Sequence, residues 1–319
     1  VNILVLGWYF KQNLGDNLFI EAFQHLFPQH QFTFTDKITL SQLNNIQAVF
    51  IGGGSFINQP CQVAPEAWSK LTSLPICYVG IGAETNIHDT HRQLMSIAKL
   101  IAIRSDSHLE TVNNLNSNTL VIPDLVYSLP VTIKNITKPK SILYIPNVSV
   151  VPKWDSPHWK HTAWEYFKSE MAQSLDLLSK EFEIKFLPFC LNNKLSDVYT
   201  AGEIINRMCH TKDEMILSQV PLTVQEAIDM ISPYTMTITQ RFHGTVLSDM
   251  AQVPCLTIHH HDKLKNSIGS KIPYYGCHKQ LILDEIKNVL STKNNPILPI
   301  DRNIFESLRE RVEDALCRS

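Results

Sequence analysis

The chain has 319 residues, 28 Lys and Arg against 30 Asp and Glu, a formal net charge of −2 and 44% hydrophobic side chains. That length holds two domains of ordinary size, each able to bury a full core. Seven basic and nine acidic side chains precede residue 137 and 21 of each follow, so neither part is basic enough for nucleic acid or an anionic membrane surface to be the main partner, and no apolar run approaches the roughly 20 residues of a membrane span.

The chain opens on Val1-Asn-Ile-Leu-Val-Leu-Gly7, a buried strand without the charged segment and cleavage site of a secretory signal. Seven cysteines, an odd number with no Cys-x-x-Cys pair, indicate neither a disulfide framework nor a zinc knuckle. The expectation is a reduced, cytoplasmic protein, in which the sequons Asn135-Ile-Thr137 and Asn147-Val-Ser149 have no role. Seven of only 11 glycines precede residue 83, and six of them sit where apolar runs end: Gly7 after Ile3–Leu6, Gly52–Gly54 after Ala48–Ile51, Gly80 and Gly82 after Ile76–Val79. Such runs read as buried parallel strands with functional loops at their carboxyl ends. Helices are predicted at Asn17–Phe27 and Thr90–Leu100, and further strands at Leu100–Ile103 and Thr119–Ile122.

Val131–Lys140 reads as a linker, after which the alternation restarts. Strands are predicted at Ile142–Ile145, Ile184–Leu187, Thr235–Thr239 and Cys255–Ile258. A long helix carries Trp164, Phe167, Met171, Leu175 and Leu178 at spacings of three and four, and others are predicted at Ala201–Met208 and Thr245–Ala251. Thr223-Val-Gln-Glu226 is a capping box before a short helix, and Arg302–Leu316 closes the chain as an amphipathic helix. The fold class is therefore α/β, with two Rossmann-like domains at 1–136 and 137–319, the second including a closing helix at 302–316. Two such domains facing across a cleft favour anionic small molecules.

The first strand exits into Gly7-Trp-Tyr-Phe-Lys-Gln-Asn13-Leu-Gly15-Asp16-Asn17, neither a dinucleotide fingerprint nor a Walker loop. Asn13-x-Gly15-Asp16 sets an amide and a carboxylate at a helix start, either as functional groups or as caps, a task that Asp16 or Asn17 does well. Gly52-Gly53-Gly54-Ser55 lets a ligand approach the backbone, whose amides can hold an anion or sugar hydroxyls. Gly80-Ile-Gly82-Ala-Glu84 repeats the arrangement, with Glu84 as a sugar ligand or an exposed loop carboxylate. Arg104 ends a strand, as an anion ligand or in an ion pair with Asp106.

The strongest local signal is Thr239-Gln-Arg241-Phe-His243-Gly244-Thr245, which leaves a strand and opens a helix. Guanidinium and helix amides there make an anion site twice over, and His243 beside a bound anion is poised to move a proton. The alternative is a histidine packed under the helix with Arg241 in a salt bridge. In His259-His-His261-Asp262, only alternate residues of a strand share a face and no third ligand follows at fixed spacing, so no metal is expected. Lys263 suits a phosphate or solvent.

Together these landmarks resemble the polysaccharide pyruvyl transferase family. Asn13-x-Gly15-Asp16 resembles its opening Gly-Asn-x-Gly-Asp turn, Gly52–Gly54 its triple-glycine loop, and Gly80-x-Gly82 its next glycine pair. Arg104 is similar to its strand-end arginine, Asp124-Leu-Val-Tyr127 to the Asp and apolar residues that come next, Arg241-x-His243-Gly244 to its Arg-x-His-Gly signature, and Lys263 to a lysine beyond it. Arg104 is followed by Ser105, where the family usually has Asp, and Ala83-Glu84 stands where a proline is common.

The resemblance implies a fold like the B-type glycosyltransferases and transfer of the carboxyvinyl unit of phosphoenolpyruvate onto two hydroxyls of a sugar or glycan, with no cofactor. By it, His243 is the proton donor, while Arg104, Arg241 and Lys263, with Gly244 and Thr245, hold the donor. Read from the residues, Asn13, Gly15, Gly52, Gly53, Gly54, Ser55, Gly82 and Glu84 are acceptor-binding or loop residues, and Asp16 is the candidate for orienting or deprotonating the acceptor hydroxyl. The rival readings are a B-type glycosyltransferase using a nucleotide sugar and a non-catalytic sugar-phosphate binding protein.

Overall fold

The computed structural model describes residues 1–82, 86–134, 140–148, 156–192, 196–210, 215–219, 221–259, 269–292 and 300–317. In chain order its first elements are β1 (Asn2–Leu6), α1 (Leu14–Leu26), β2 (Gln31–Thr35), β3 (Ala48–Gly54), α2 (Trp68–Thr72), β4 (Ile76–Ile81), α3 (Asp89–Ile97), β5 (Leu100–Ile103), α4 (Leu109–Asn113) and β6 (Thr119–Val121). There follow β7 (Ser141–Ile145), α5 (His158–Leu178), β8 (Glu183–Phe186), α6 (Asp197–Ile205), α7 (Val224–Ile231), β9 (Met236–Thr239), α8 (Phe242–Met250), β10 (Cys255–His259), β11 (Ser270–Pro273), α9 (Lys279–Ser291) and α10 (Asn303–Cys317).

The chain divides into two compact units. Unit 1 comprises Val1–Lys11, Asp16–Pro130 and Ile300–Ser319, and unit 2 comprises Gln12–Gly15 and Val131–Pro299. Among the described residues, unit 1 holds a sheet in the order β2-β1-β3-β4-β5-β6 and unit 2 one in the order β11-β10-β9-β7-β8. Every neighbouring pair in both sheets is parallel. This is the architecture that the glycine-ended apolar runs require: β1, β3, β4 and β5 are buried almost throughout, as strands covered on both faces must be. Parallel pairing also brings the loops after β1, β3, β4 and β5 to one edge of the unit 1 sheet.

Several elements differ from the sequence reading. β1 pairs with β2, an alternating strand that the sequence reading misses. α1 starts at Leu14, so Gly15 and Asp16 lie inside its first turn and neither Asp16 nor Asn17 is the cap. The cause is tertiary: Leu14 N donates to Phe189 O (2.9 Å), and Asn13 makes an antiparallel bridge with Cys190. α8 likewise starts at Phe242, three residues before the predicted Thr245. Thr223 is the cap that the capping box predicts, accepting from Glu226 N (3.2 Å), while the Glu226 carboxylate accepts from Leu222 N (2.8 Å). The largest difference is α10, which belongs to unit 1 and not to the second domain. It buries Phe305, Leu308, Val312 and Ala315, packs near β5, and pairs Glu313 with His30 (3.0 Å). Among the described residues no helix is long and apolar enough to cross a membrane.

Candidate functional site

In unit 1 the predicted loops meet at the carboxyl edge of the sheet. Gly53 and Gly54 have φ of +73° and +136°, a backbone that side-chain-bearing residues rarely adopt, and the Gly52 carbonyl accepts the Tyr9 hydroxyl (2.8 Å). Asp16 reaches the same loop, since a methyl group on Gly54 would lie 3.5 Å from its Oδ1. Burial, and then the Asp16 charge, push the Tyr9 hydroxyl well above its usual pKa, so it stays a neutral donor.

Arg104 is held on three sides. Its Nη1 donates to Asp124 Oδ2 (2.6 Å), its Nη2 to Ser55 Oγ (2.9 Å), and its guanidinium lies over the Phe19 ring at 5.6 Å. The side chains of Arg104 and Asp124 are 3% and 1% exposed. The expected partner Asp106 is therefore replaced by Asp124, which also caps a short 3₁₀ turn through Val126 N (3.1 Å). Gly82 makes room for this cluster, because a methyl group there would fall 2.1 Å from Ser55 Oγ. Gly82 and Ser55 thus support Arg104. Arg104 is enclosed at this edge in an ion pair, the second of the two readings of this arginine, with Asp124 in place of Asp106.

In unit 2 the two sequence signatures come together. Gly15 packs directly on the His243 imidazole: a methyl group on Gly15 would lie 2.1 Å from Nδ1. The segment carrying Gly15 is pinned to the loop after β8 by Leu14 N to Phe189 O (2.9 Å) and Leu191 N to Gln12 O (3.0 Å). The same loop donates Phe189 N (3.0 Å) and Cys190 N (2.9 Å) to Asp197 Oδ2, while Val148 N donates to Oδ1 (3.1 Å). Asp197 in turn receives Nε (2.7 Å) and Nη2 of Arg241 as a fork. Asp197 is fully buried and Arg241 nearly so. One polar network therefore sets Arg241, the β8 loop and Gly15 around His243.

Arg241 is the N-cap residue of α8, and its side chain makes no cap hydrogen bond. His243, 8% exposed, follows in the first turn. Asp197 balances the guanidinium charge, so it is the partial positive charge of that first turn that suits the start of α8 to an anion. Gly244 sits against Thr239, where a methyl group would meet Oγ1 at 2.1 Å. Thr245, expected beside the donor, is buried, and its hydroxyl pairs with Thr257 Oγ1 at 3.0 Å. Of the two alternatives for the Arg-x-His motif, the structure has the salt bridge of Arg241 and the packing of His243, both at a helix start.

Sequence reasoning missed Asp197, and also Gln240, whose buried side chain accepts from the Tyr144 hydroxyl (2.8 Å) and backs the strand end. Glu84, Lys263 and the run 260–262 lie outside the described residues.

A family model described as polysaccharide pyruvyl transferase matches residues 13–262. No curated protein sequence matches the chain. Among solved structures, S. aureus MnaA in its co-structure with UDP is similar at 13% identity and a TM-score of 0.63, covering 99% of this chain and 97% of that one. The Methanocaldococcus jannaschii UDP-GlcNAc 2-epimerase, in complex with UDP-GlcNAc and UDP, is similar at 10% identity and 0.63, covering 100% and 99%. The Neisseria meningitidis UDP-GlcNAc 2-epimerase bound to UDP-GlcNAc gives 10% and 0.56, covering 98% and 100%. At such identities the likeness establishes the fold alone: two parallel-sheet α/β units of the B-type glycosyltransferase kind.

Proposed function

The chain belongs to the polysaccharide pyruvyl transferase family, and from that premise we propose that it moves the carboxyvinyl unit of phosphoenolpyruvate onto two hydroxyls of a sugar, closing a pyruvate ketal on a glycan. The observation that carries this reading is His243 in the first turn of α8, pressed against Gly15 and two residues after an arginine fixed by Asp197.

As an imidazolium, His243 gives its proton to the methylene carbon of phosphoenolpyruvate, which becomes a methyl group and leaves positive charge at C2. A sugar hydroxyl adds to C2 and loses its proton. A second hydroxyl of the same sugar then displaces phosphate as the C2–O bond to phosphorus breaks. Of the two hydroxyl protons released, one restores the proton that His243 spent and the other leaves with phosphate. The first-turn amides of α8 offset part of the donor's negative charge, beside an Arg241 whose own charge Asp197 balances. In unit 1, Asp16 is assigned to the acceptor hydroxyl.

The test is His243→Gln, which keeps a hydrogen-bond donor and lacks a mobile proton. Phosphoenolpyruvate should still bind, while the single-turnover rate falls by at least about a hundredfold. A near-normal rate would make His243 structural. A nucleotide-sugar transferase is the second reading, favoured by the likeness in fold to structures holding UDP and UDP-GlcNAc. Stabilisation of the protein by UDP-GlcNAc and not by phosphoenolpyruvate in a thermal-shift assay would select it.

A further inference from the structure

The loop after β1 turns one aromatic residue inward and its two neighbours outward. Tyr9 folds back over Gly7, so closely that a methyl group on Gly7 would lie 2.5 Å from its ring. Its hydroxyl donates to Gly52 O (2.8 Å), and its ring meets Phe34 of β2 edge-on at 5.0 Å. With Tyr9 as the anchor, Trp8 remains 42% exposed and Phe10 68% exposed. Phe10 takes φ of +60°, a left-handed backbone that an aromatic residue adopts only under constraint. The Phe10 ring meets the Tyr9 ring at 6.5 Å and leaves most of its surface to water.

Polar groups stand beside these rings. Lys11 Nζ lies over the Trp8 ring at 5.7 Å and is paired with Asp36, the residue that follows β2 on the same carboxyl edge. The Lys11 hydrogen bond holds the Asp36 carboxyl below its usual range, so the pair stays ionised and carries no net charge near neutral pH. A patch of planar apolar faces beside a donor and an acceptor already paired with each other offers a phosphate or a carboxylate little beyond Lys37, the further cation near Asp36. It suits a ring with one C–H face and a rim of hydroxyls that both donate and accept.

We propose that Trp8 and Phe10, with the Lys11–Asp36 pair beside them, form a stacking platform for a neutral pyranose ring of the acceptor glycan. Its role as an acceptor subsite rests on the pyruvyl transfer proposed above; the binding of a neutral sugar does not.

The experiment is saturation-transfer NMR on the full chain with methyl β-galactopyranoside, methyl α-mannopyranoside and methyl β-glucopyranoside, repeated for Trp8→Ala, Phe10→Ala and Trp8→Phe. At least one glycoside should receive saturation from wild type. Its affinity should fall on the order of tenfold in each alanine variant and recover in part in Trp8→Phe. Melting temperature and phosphoenolpyruvate binding should stay unchanged, since neither side chain belongs to the core or to the His243 site. Equal glycoside binding by wild type and the alanine variants overturns the platform, as does the absence of saturation transfer to all three sugars. Loss of glycoside binding in the variants of a protein that releases no phosphate from phosphoenolpyruvate supports the platform and rejects the pyruvyl-transfer reading alone.

Discussion

Replacing Asp197 with asparagine keeps the shape of the side chain and removes its charge. In the native protein Oδ2 accepts from Phe189 N, Cys190 N and Arg241 Nε, and Oδ1 from Val148 N and Arg241 Nη2. Every group facing this carboxylate is a donor, so the amide NH₂ of asparagine confronts donors whichever way it is turned. If the amide oxygen keeps the Oδ2 position, Val148 N and Arg241 Nη2 lose Oδ1 as acceptor, and Arg241 keeps its charge while that of Asp197 is gone. Breaking a buried pair in this way costs about 3–5 kcal/mol. Arg241 is 14% exposed, and that water contact draws the figure toward the lower end. At roughly 2–4 °C per kcal/mol for a unit of this size, the melting temperature should fall by about 6–20 °C. Calorimetric melting of wild type and variant measures it, and phosphoenolpyruvate titration of both reads the site. With Arg241 no longer aimed, affinity should drop by about tenfold or more. A shift under roughly 2 °C would refute the account of Asp197 as the group that fixes Arg241. A large shift with unchanged affinity would leave Arg241 as a purely structural residue.

Gly15→Ala reverses an ordinary rule: within a helix the change normally stabilises by about 0.5–1 kcal/mol, but this methyl group overlaps His243 Nδ1. Turnover should fall on the order of a hundredfold with the far-UV circular dichroism intact, and wild-type turnover would disprove the contact. His91 governs an acid limb of stability. It is fully buried, bonds the Tyr78 hydroxyl at 2.9 Å, and is brought down to about 4 by burial and then by the neighbouring His88 charge. From the ordinary value of 6.5 down to about 4, the unfolded chain holds a proton that folded His91 does not, so stability is full above that window and declines as pH falls through it. The loss approaches roughly 3 kcal/mol, and His91→Gln should flatten this limb; parallel melting-versus-pH curves for the two proteins would show that His91 plays no part in it.

What could be read from the sequence was whatever a short stretch declares by itself. A run such as Ala48–Ile51 has no polar face to offer water and ends in glycines, so β3 and its loop follow from a few residues. β2 alternates Phe32 and Phe34 with polar residues at the sheet edge, and that weak pattern passes for a loop. Arg241-x-His243-Gly244 was found because strand, turn and helix succeed one another. Asp197 lies 44 residues earlier, where an acid in the first turn of a helix is ordinary, and only the folded β8 loop gives it a second task. Proximity in sequence pointed Arg104 to Asp106, but β6 returns the chain beside β5 and brings Asp124 to the guanidinium instead. The apolar stripe of α10 announced that one helix face is buried, and nothing in it states which sheet it covers.

That last helix sets the timing of folding during synthesis. Unit 1 is interrupted: everything up to Pro130 leaves the ribosome early, but Asn303–Cys317 emerges only after Val131–Pro299 has been made. At about 5–20 residues per second, that stretch takes roughly 10–30 s. Throughout this interval the nascent amino-terminal sheet lacks the Phe305, Leu308 and Val312 side chains that complete its core, and its β5 region stays uncovered. Chaperones that shield apolar surface have an opportunity there, and the unit 1 sheet, translated before that of unit 2, is closed only after unit 2 has been made.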